Sequence, residues 1–259
     1  MRPEKIIRSQ AKEALKGNWI AAVSGVFVLL AVIFLIDVFY ELLLNLTGII
    51  SGNTIKKGGE FALIIILCAT FLFYFALSPF KNGYLRLCYN IAQGRSDGLR
   101  DIFYFFSGIK VYFKALQFNI IIMLKKILYA LISFIPYFLC LLFELVLFTN
   151  FIKPTSSTNA LFDTLEFVLM IIGSVSTVII SIRLIIPEFV FVDNPEANTF
   201  GIAKFISSTH LREYYKLVFS FAFWILSCFF VLPGLYVIPY LTTSLGTSSK
   251  WLINNIQGR

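Results

Sequence analysis

The sequence predicts an all-α, polytopic transmembrane helical bundle of about six spans, arranged as three helical hairpins with interfacial amphipathic helices. Three observations carry this expectation. Of 259 residues, 58% are hydrophobic and 17% aromatic while only 14% are charged, well below the roughly 25% charged residues of a soluble domain. The mean hydropathy is +0.84, and the apolar residues gather into long runs that suit helices in hydrocarbon, because a helix satisfies its own backbone donors and acceptors. Lys and Arg cluster beside those runs, as residues that orient spans do.

The chain opens with Arg2, Lys5, Arg8, Lys12 and Lys16 against Glu4 and Glu13, while Ile7, Ala11, Ala14 and Leu15 recur at helical spacing. This predicts an interfacial helix over 3–17. The first span covers 19–46. The basic residues before it resemble a signal-peptide n-region, but the run is too long and no small-residue cleavage pattern follows, so the span is expected to stay. A Gly-rich loop carrying Lys56 and Lys57 leads to the second span, 61–80, closed by Ser78-Pro79 and a basic collar at Lys81 and Arg86.

A second interfacial helix is expected over 99–124, with Leu99, Ile102, Phe103, Phe106, Phe113 and Leu116 sharing a face away from Lys110, Lys114 and Gln117. Lys125 and Lys126 follow. Each lysine at the centre of a lone span costs roughly 2.5–3.5 kcal/mol on insertion scales, which puts the third span after them, at 127–148. Pro136 should kink it. Beyond a polar loop with Lys153, the fourth span covers 161–192 and shows a small-residue face at Gly173–Thr177 on which another helix can pack closely.

Asp193-Asn194-Pro195-Glu196 then reads as a turn, because Asp and Asn bond their own backbone and Pro offers no helical donor. Residues 197–213 form the third amphipathic segment, with Ile202, Phe205, Ile206 and Thr209 on one face and Lys204, Ser208 and Arg212 on another. It suits either a helix at the membrane surface or an ordinary cytosolic helical loop. A fifth span, 217–232, breaks at Pro233-Gly234, and a more polar sixth, 235–253, completes one integral membrane domain.

The N-terminal Ala11–Trp19 stretch, the Asp193–Glu196 turn, Ser207-Ser208, Tyr215-Lys216, Phe221–Trp224 and the late Pro239-Tyr240 pair resemble a family of bacterial multi-pass membrane proteins of unknown function. The resemblance covers most of the chain and implies a fold and a location. It brings no activity with it.

With the N-terminus inside and six spans, Lys and Arg divide eighteen to three in favour of the cytoplasmic side, with Arg183 left within the membrane. This is a strong positive-inside signal for a cytoplasmic N-terminus, and with an uncleaved first span and no organelle or lipid signal a bacterial plasma membrane is the expected location. The net charge of +8 forms no separate basic domain, so nucleic acid is not an expected partner.

Cys68, Cys88, Cys140 and Cys228 are scattered without CxxC, and His210 is the single histidine, so neither a disulfide framework nor a metal site is expected. No GxSxG, HExxH or Walker loop appears, and neither an enzyme nor a cofactor is expected. The candidate polar site consists of intramembrane ionisable residues: Arg183, Glu188, Asp37, Glu41 and Glu144. Charges in hydrocarbon are costly and face a partner or a wet cavity. For the three outer carboxylates the alternative is an interfacial position. For Arg183 it is a structural ion pair with Glu188 or another carboxylate. The expected function is non-enzymatic binding of membrane lipids, anionic headgroups among them, or of a membrane-protein partner, in envelope maintenance, stress response or self-protection. The alternative is a small transporter or channel using Arg183 and the carboxylates.

Overall fold

The computed structural model describes residues 3–46, 50–51, 54–55, 59–150, 156–228 and 231–257. Lys56, Lys57 and Lys153, assigned to the outer side above, lie outside the described residues.

The fold is an all-α helical bundle. Helix α1 (Pro3–Leu15) closes on Gly17, whose φ of +83° suits a residue without a Cβ. Helix α2 (Trp19–Leu46) is followed by a two-residue antiparallel ladder, Ile50–Ser51 with Thr54–Ile55.

Helix α3 (Gly59–Gln93) does not stop at Ser78-Pro79 as the sequence suggested. Pro79 deprives the Phe75 carbonyl of its usual donor, and Ser78 Oγ supplies one at 2.9 Å. The helix therefore passes through the proline and carries Lys81 and Arg86 within its length.

The expected interfacial helix over 99–124 is divided. A 3-10 helix, Gly98–Phe106, turns every three residues and buries Ile102 and Phe105 while leaving Phe103 and Phe106 exposed. Helix α4 (Ile109–Ser133) begins after Gly108 and continues through Lys125 and Lys126, so the third membrane segment does not begin after the lysines. Both are half-buried and engaged with other groups, which lowers the cost assigned to a lone helix. The expected 127–148 span is itself interrupted at Phe134, between α4 and α5 (Ile135–Asn150). Pro136 falls in the first turn of α5, where the missing donor is cheapest.

Helix α6 (Ser156–Ser181) gives way to a 3-10 turn at Ile182–Leu184 and then α7 (Ile185–Asp193). Pro187 explains the irregularity, since it cannot donate to the Arg183 carbonyl. Helix α8 (Thr199–Phe219) is capped by Asn198, whose Oδ1 accepts from Gly201 N at 3.1 Å. It outruns the expected interfacial segment, so 217–232 is divided among its last turn, the six-residue α9 (Ala222–Ser227) and the start of the helix that follows. Helix α10 (Val231–Gln257) takes Pro233-Gly234 into its first turn, where the sequence had placed a break.

Among the described residues, four segments are long and apolar enough to cross a membrane: Trp19–Asn45, Ile64–Gln93, Ile109–Ser133 and Ala160–Asp193. Only 17–22% of each apolar window is buried within the chain, the reverse of a soluble core and the expected state of helices facing lipid.

The chain forms two compact units, Met1–Asn119 with Ile186–Arg259, and Ile120–Ile185. In the first, Leu15, Ala22, Val26, Tyr84, Leu87, Cys88, Ile91 and Ile102 form the core. Gly83 lets α3 meet the 3-10 helix: a Cβ there would lie 1.9 Å from the Ile102 carbonyl oxygen. In the second unit the Phe134 ring lies on Gly173, whose added Cβ would stand 3.1 Å from it. The small-residue face of α6 thus receives an aromatic ring.

Candidate functional site

The Asp193–Glu196 turn is the anchor of the first unit. Asn194 Oδ1 accepts from Glu196 N at 3.0 Å, closing the turn locally, and three cations hold it from outside. Arg86 Nη1 donates to the Val192 carbonyl at 2.8 Å. Arg95 Nη2 meets Asp193 Oδ1 at 2.7 Å, and Lys114 pairs with Glu196. Arg86 also stacks over Tyr104, with its guanidinium carbon 3.6 Å from the ring centroid. These residues are committed to architecture.

The N-terminal helix is held just as firmly. Arg8 places its guanidinium carbon 4.7 Å from the Phe221 ring centroid and 5.8 Å from that of Tyr240. The Tyr240 hydroxyl donates to the Arg8 carbonyl at 3.3 Å. Trp19 stacks on Tyr236 with centroids 4.7 Å apart. Amphipathic α1 is thereby docked along α10 and α8, with one edge left to line two adjoining cavities.

The first cavity is an open cleft of about 910 Å³ between α1 and α8. Ser208, Arg212, Lys216 and Phe219 follow one another at helical spacing on the α8 wall, with Leu211 and Tyr215 beside them. Glu4 stands on the α1 side. Among the described residues, Glu4, Arg212 and Lys216 have no hydrogen-bond or ion-pair partner for their side chains. The wall therefore offers two unpaired cations next to apolar surface.

The second cavity, about 170 Å³, shares Glu4 with the first and is completed by Ile6, Ile7 and Gln10 of α1, Glu213 of α8, and Ser248 and Trp251 of α10. His210 packs edge-on against Trp251 at 5.8 Å, and its Nδ1 lies 3.3 Å from Glu213 Oε2. Two carboxylates and an indole thus line a space of small volume.

The α8 face expected from the sequence is rotated. Ala203, Ile206, Tyr214 and Leu217 are buried, whereas Phe205 is 54% exposed, so the segment presents Phe205 outward and uses Ile206 for packing. Burial holds the Tyr214 phenol well above its ordinary pKa; the neighbouring Ser249 hydroxyl opposes the shift and the nearby Glu188 charge adds to it.

Of the five ionisable residues singled out in the sequence, Glu188 is buried and takes Lys81 as its ion-pair partner, Nζ to Oε1 2.6 Å. Asp37 and Glu41 are exposed on α2, Asp37 beside a shallow hollow formed with Tyr40, Thr70 and Leu77. These three, all in the first unit, do not form one site. In the second unit Arg183 is exposed in its 3-10 turn, and Glu144 of α5 meets Glu166 of α6. Glu166 was not anticipated, although its spacing of three from Asp163 marks a polar edge on α6. Among the described residues no group of three or more His, Cys, Asp or Glu side chains is placed to hold a metal ion.

Of the cleft residues, Arg212 stood out in the sequence on the polar face of the 197–213 segment, and Tyr215-Lys216 among the motifs of the family resemblance. Glu4, Glu213 and Trp251 did not, because nothing local links an N-terminal carboxylate to a C-terminal indole. No protein-family model, curated protein or solved structure matches the chain. The reading of the site rests on its geometry.

Proposed function

We propose that this chain is a non-enzymatic, multi-pass protein of a bacterial plasma membrane, with its N-terminus in the cytoplasm, whose role is to bind phospholipid headgroups at the cytoplasmic surface. One observation carries the reading: Arg212 and Lys216, unpaired among the described residues, stand beside Leu211 and Phe219 on the wall of the cleft between α1 and α8. A guanidinium and an ammonium are suited to phosphate, the first as a fork of donors and the second as a point charge. The adjoining apolar side chains suit the start of an acyl chain.

Support comes also from the exposed Phe205 about two turns before Arg212 on α8, which would enter the same interface, and from the basic residues of α8, which favour the anionic inner leaflet. The transporter reading draws no comparable support, since the structure gathers Asp37, Glu41 and Glu188 into no common site. Native mass spectrometry of the detergent-solubilised full chain tests the proposal. Wild type should retain phospholipid, and Arg212→Gln with Lys216→Gln should reduce retention about tenfold while leaving the thermal transition in place. Equal retention by both proteins would remove the lipid reading.

A further inference from the structure

The cleft and the smaller cavity that adjoins it carry opposite charges, and the division is ordered. On one side lie Arg212 and Lys216. On the other lie Glu4 of α1 and Glu213 of α8, with Trp251 of α10. Glu4 belongs to both linings, so the two spaces meet at a carboxylate.

We propose that this pair of cavities recognises the headgroup of a phosphatidylethanolamine, with its phosphate against Arg212 and Lys216 and its primary ammonium in the smaller cavity against Glu4, Glu213 and the Trp251 ring. The inference rests on the lipid-binding reading above and deepens it.

Each part of the headgroup has its counterpart. A phosphate placed among Arg212 and Lys216 gains charge-assisted hydrogen bonds from groups otherwise unpaired among the described residues. A primary ammonium has three donors, and the smaller cavity supplies acceptors for them in Glu4, Glu213, the Gln10 amide oxygen and the Ser248 hydroxyl. Indole is the best aromatic partner for a cation. Glu213 also faces His210, which holds the carboxylate beside the indole and leaves its second oxygen for a ligand.

Other headgroups fit less well on the same chemistry. A trimethylammonium has no N–H donor for the two carboxylates, the glutamine or the serine and keeps only its contact with the indole. Glycerol headgroups bring phosphate but no cation, leaving Glu4 and Glu213 facing a neutral polyol. A serine headgroup brings an ammonium together with a carboxylate that Glu4 and Glu213 would repel.

The test uses the delipidated full chain in detergent, exposed to an equimolar mixture of phosphatidylethanolamine, phosphatidylcholine and phosphatidylglycerol with identical acyl chains, with bound lipid read by native mass spectrometry. Wild type should retain the ethanolamine lipid about tenfold over the other two. Glu213→Gln alone, at a half-exposed position, should cut that preference severalfold, and Glu4→Gln with Glu213→Gln should erase it without reducing phosphatidylglycerol retention. Trp251→Phe should keep a reduced preference and Trp251→Leu should lose it. A thermal melt of each variant separates loss of the headgroup site from loss of fold. Equal retention of the ethanolamine and choline lipids, or a preference that survives the double glutamine change, overturns the ammonium site. A wild-type preference for phosphatidylglycerol overturns it as well while leaving lipid binding intact, and retention of none of the three overturns both.

Discussion

Lys81 and Glu188 form a half-buried ion pair in the first unit, with Nζ 2.6 Å from Oε1 and side-chain exposures of 41% and 6%. The carboxylate lies on α7, five residues before the Asp193–Glu196 segment, so the pair ties the middle of α3 to α7. Lys81→Met should cost about 2–3 kcal/mol, less than the 3–5 kcal/mol for breaking a fully buried pair, because the ammonium is partly hydrated. Lys81→Met with Glu188→Met should recover much of the loss. A double-mutant cycle on thermal unfolding in detergent measures the coupling, and a value near zero would make the pair incidental.

Gly83 makes the sharpest packing prediction. With an added Cβ only 1.9 Å from the Ile102 carbonyl oxygen, Gly83→Ala must push the 3-10 helix away from α3. It should destabilise by about 3 kcal/mol or more. Gly108→Ala is the control, since nothing lies within 4 Å of its added Cβ, and it should change stability by less than about 1 kcal/mol. Similar melts for the two variants would refute the close approach.

Docking of α1 depends on the Arg8 guanidinium between the Phe221 and Tyr240 rings. Arg8→Met should cost about 1–2 kcal/mol and make the helix easier to cleave by a protease acting at its remaining lysines. Arg8→Lys should restore only part of the loss, because a compact ammonium does not stack as a planar fork does. Complete restoration by lysine would reduce the clamp to simple charge.

Topology is open to direct labelling. Cysteines introduced at Ser51 and Ser156 should react with an impermeant thiol reagent added to intact cells, and one introduced at Ser9 should react only after lysis. Labelling of the Ser9 position from outside would invert the orientation on which the cytoplasmic headgroup site depends.

The membrane class was determined by the sequence alone, because long apolar runs with few charges report the solvent of a helix without reference to its neighbours. The turn at Asp193–Glu196 and the cations Arg212 and Lys216 were legible for the same local reason. Helix limits near Pro79, Lys125 and Pro233 were not. There the outcome turned on whether a serine hydroxyl re-satisfied a carbonyl, whether neighbours engaged a lysine, and where a first turn began. Tertiary structure decided which charges pair: Lys81 with Glu188, and Glu4 brought beside Glu213 and Trp251 from the opposite end of the chain. Spacing along a helix encodes which face a residue occupies, but the identity of the facing residue depends on how distant helices dock, and that is set by packing across the whole unit.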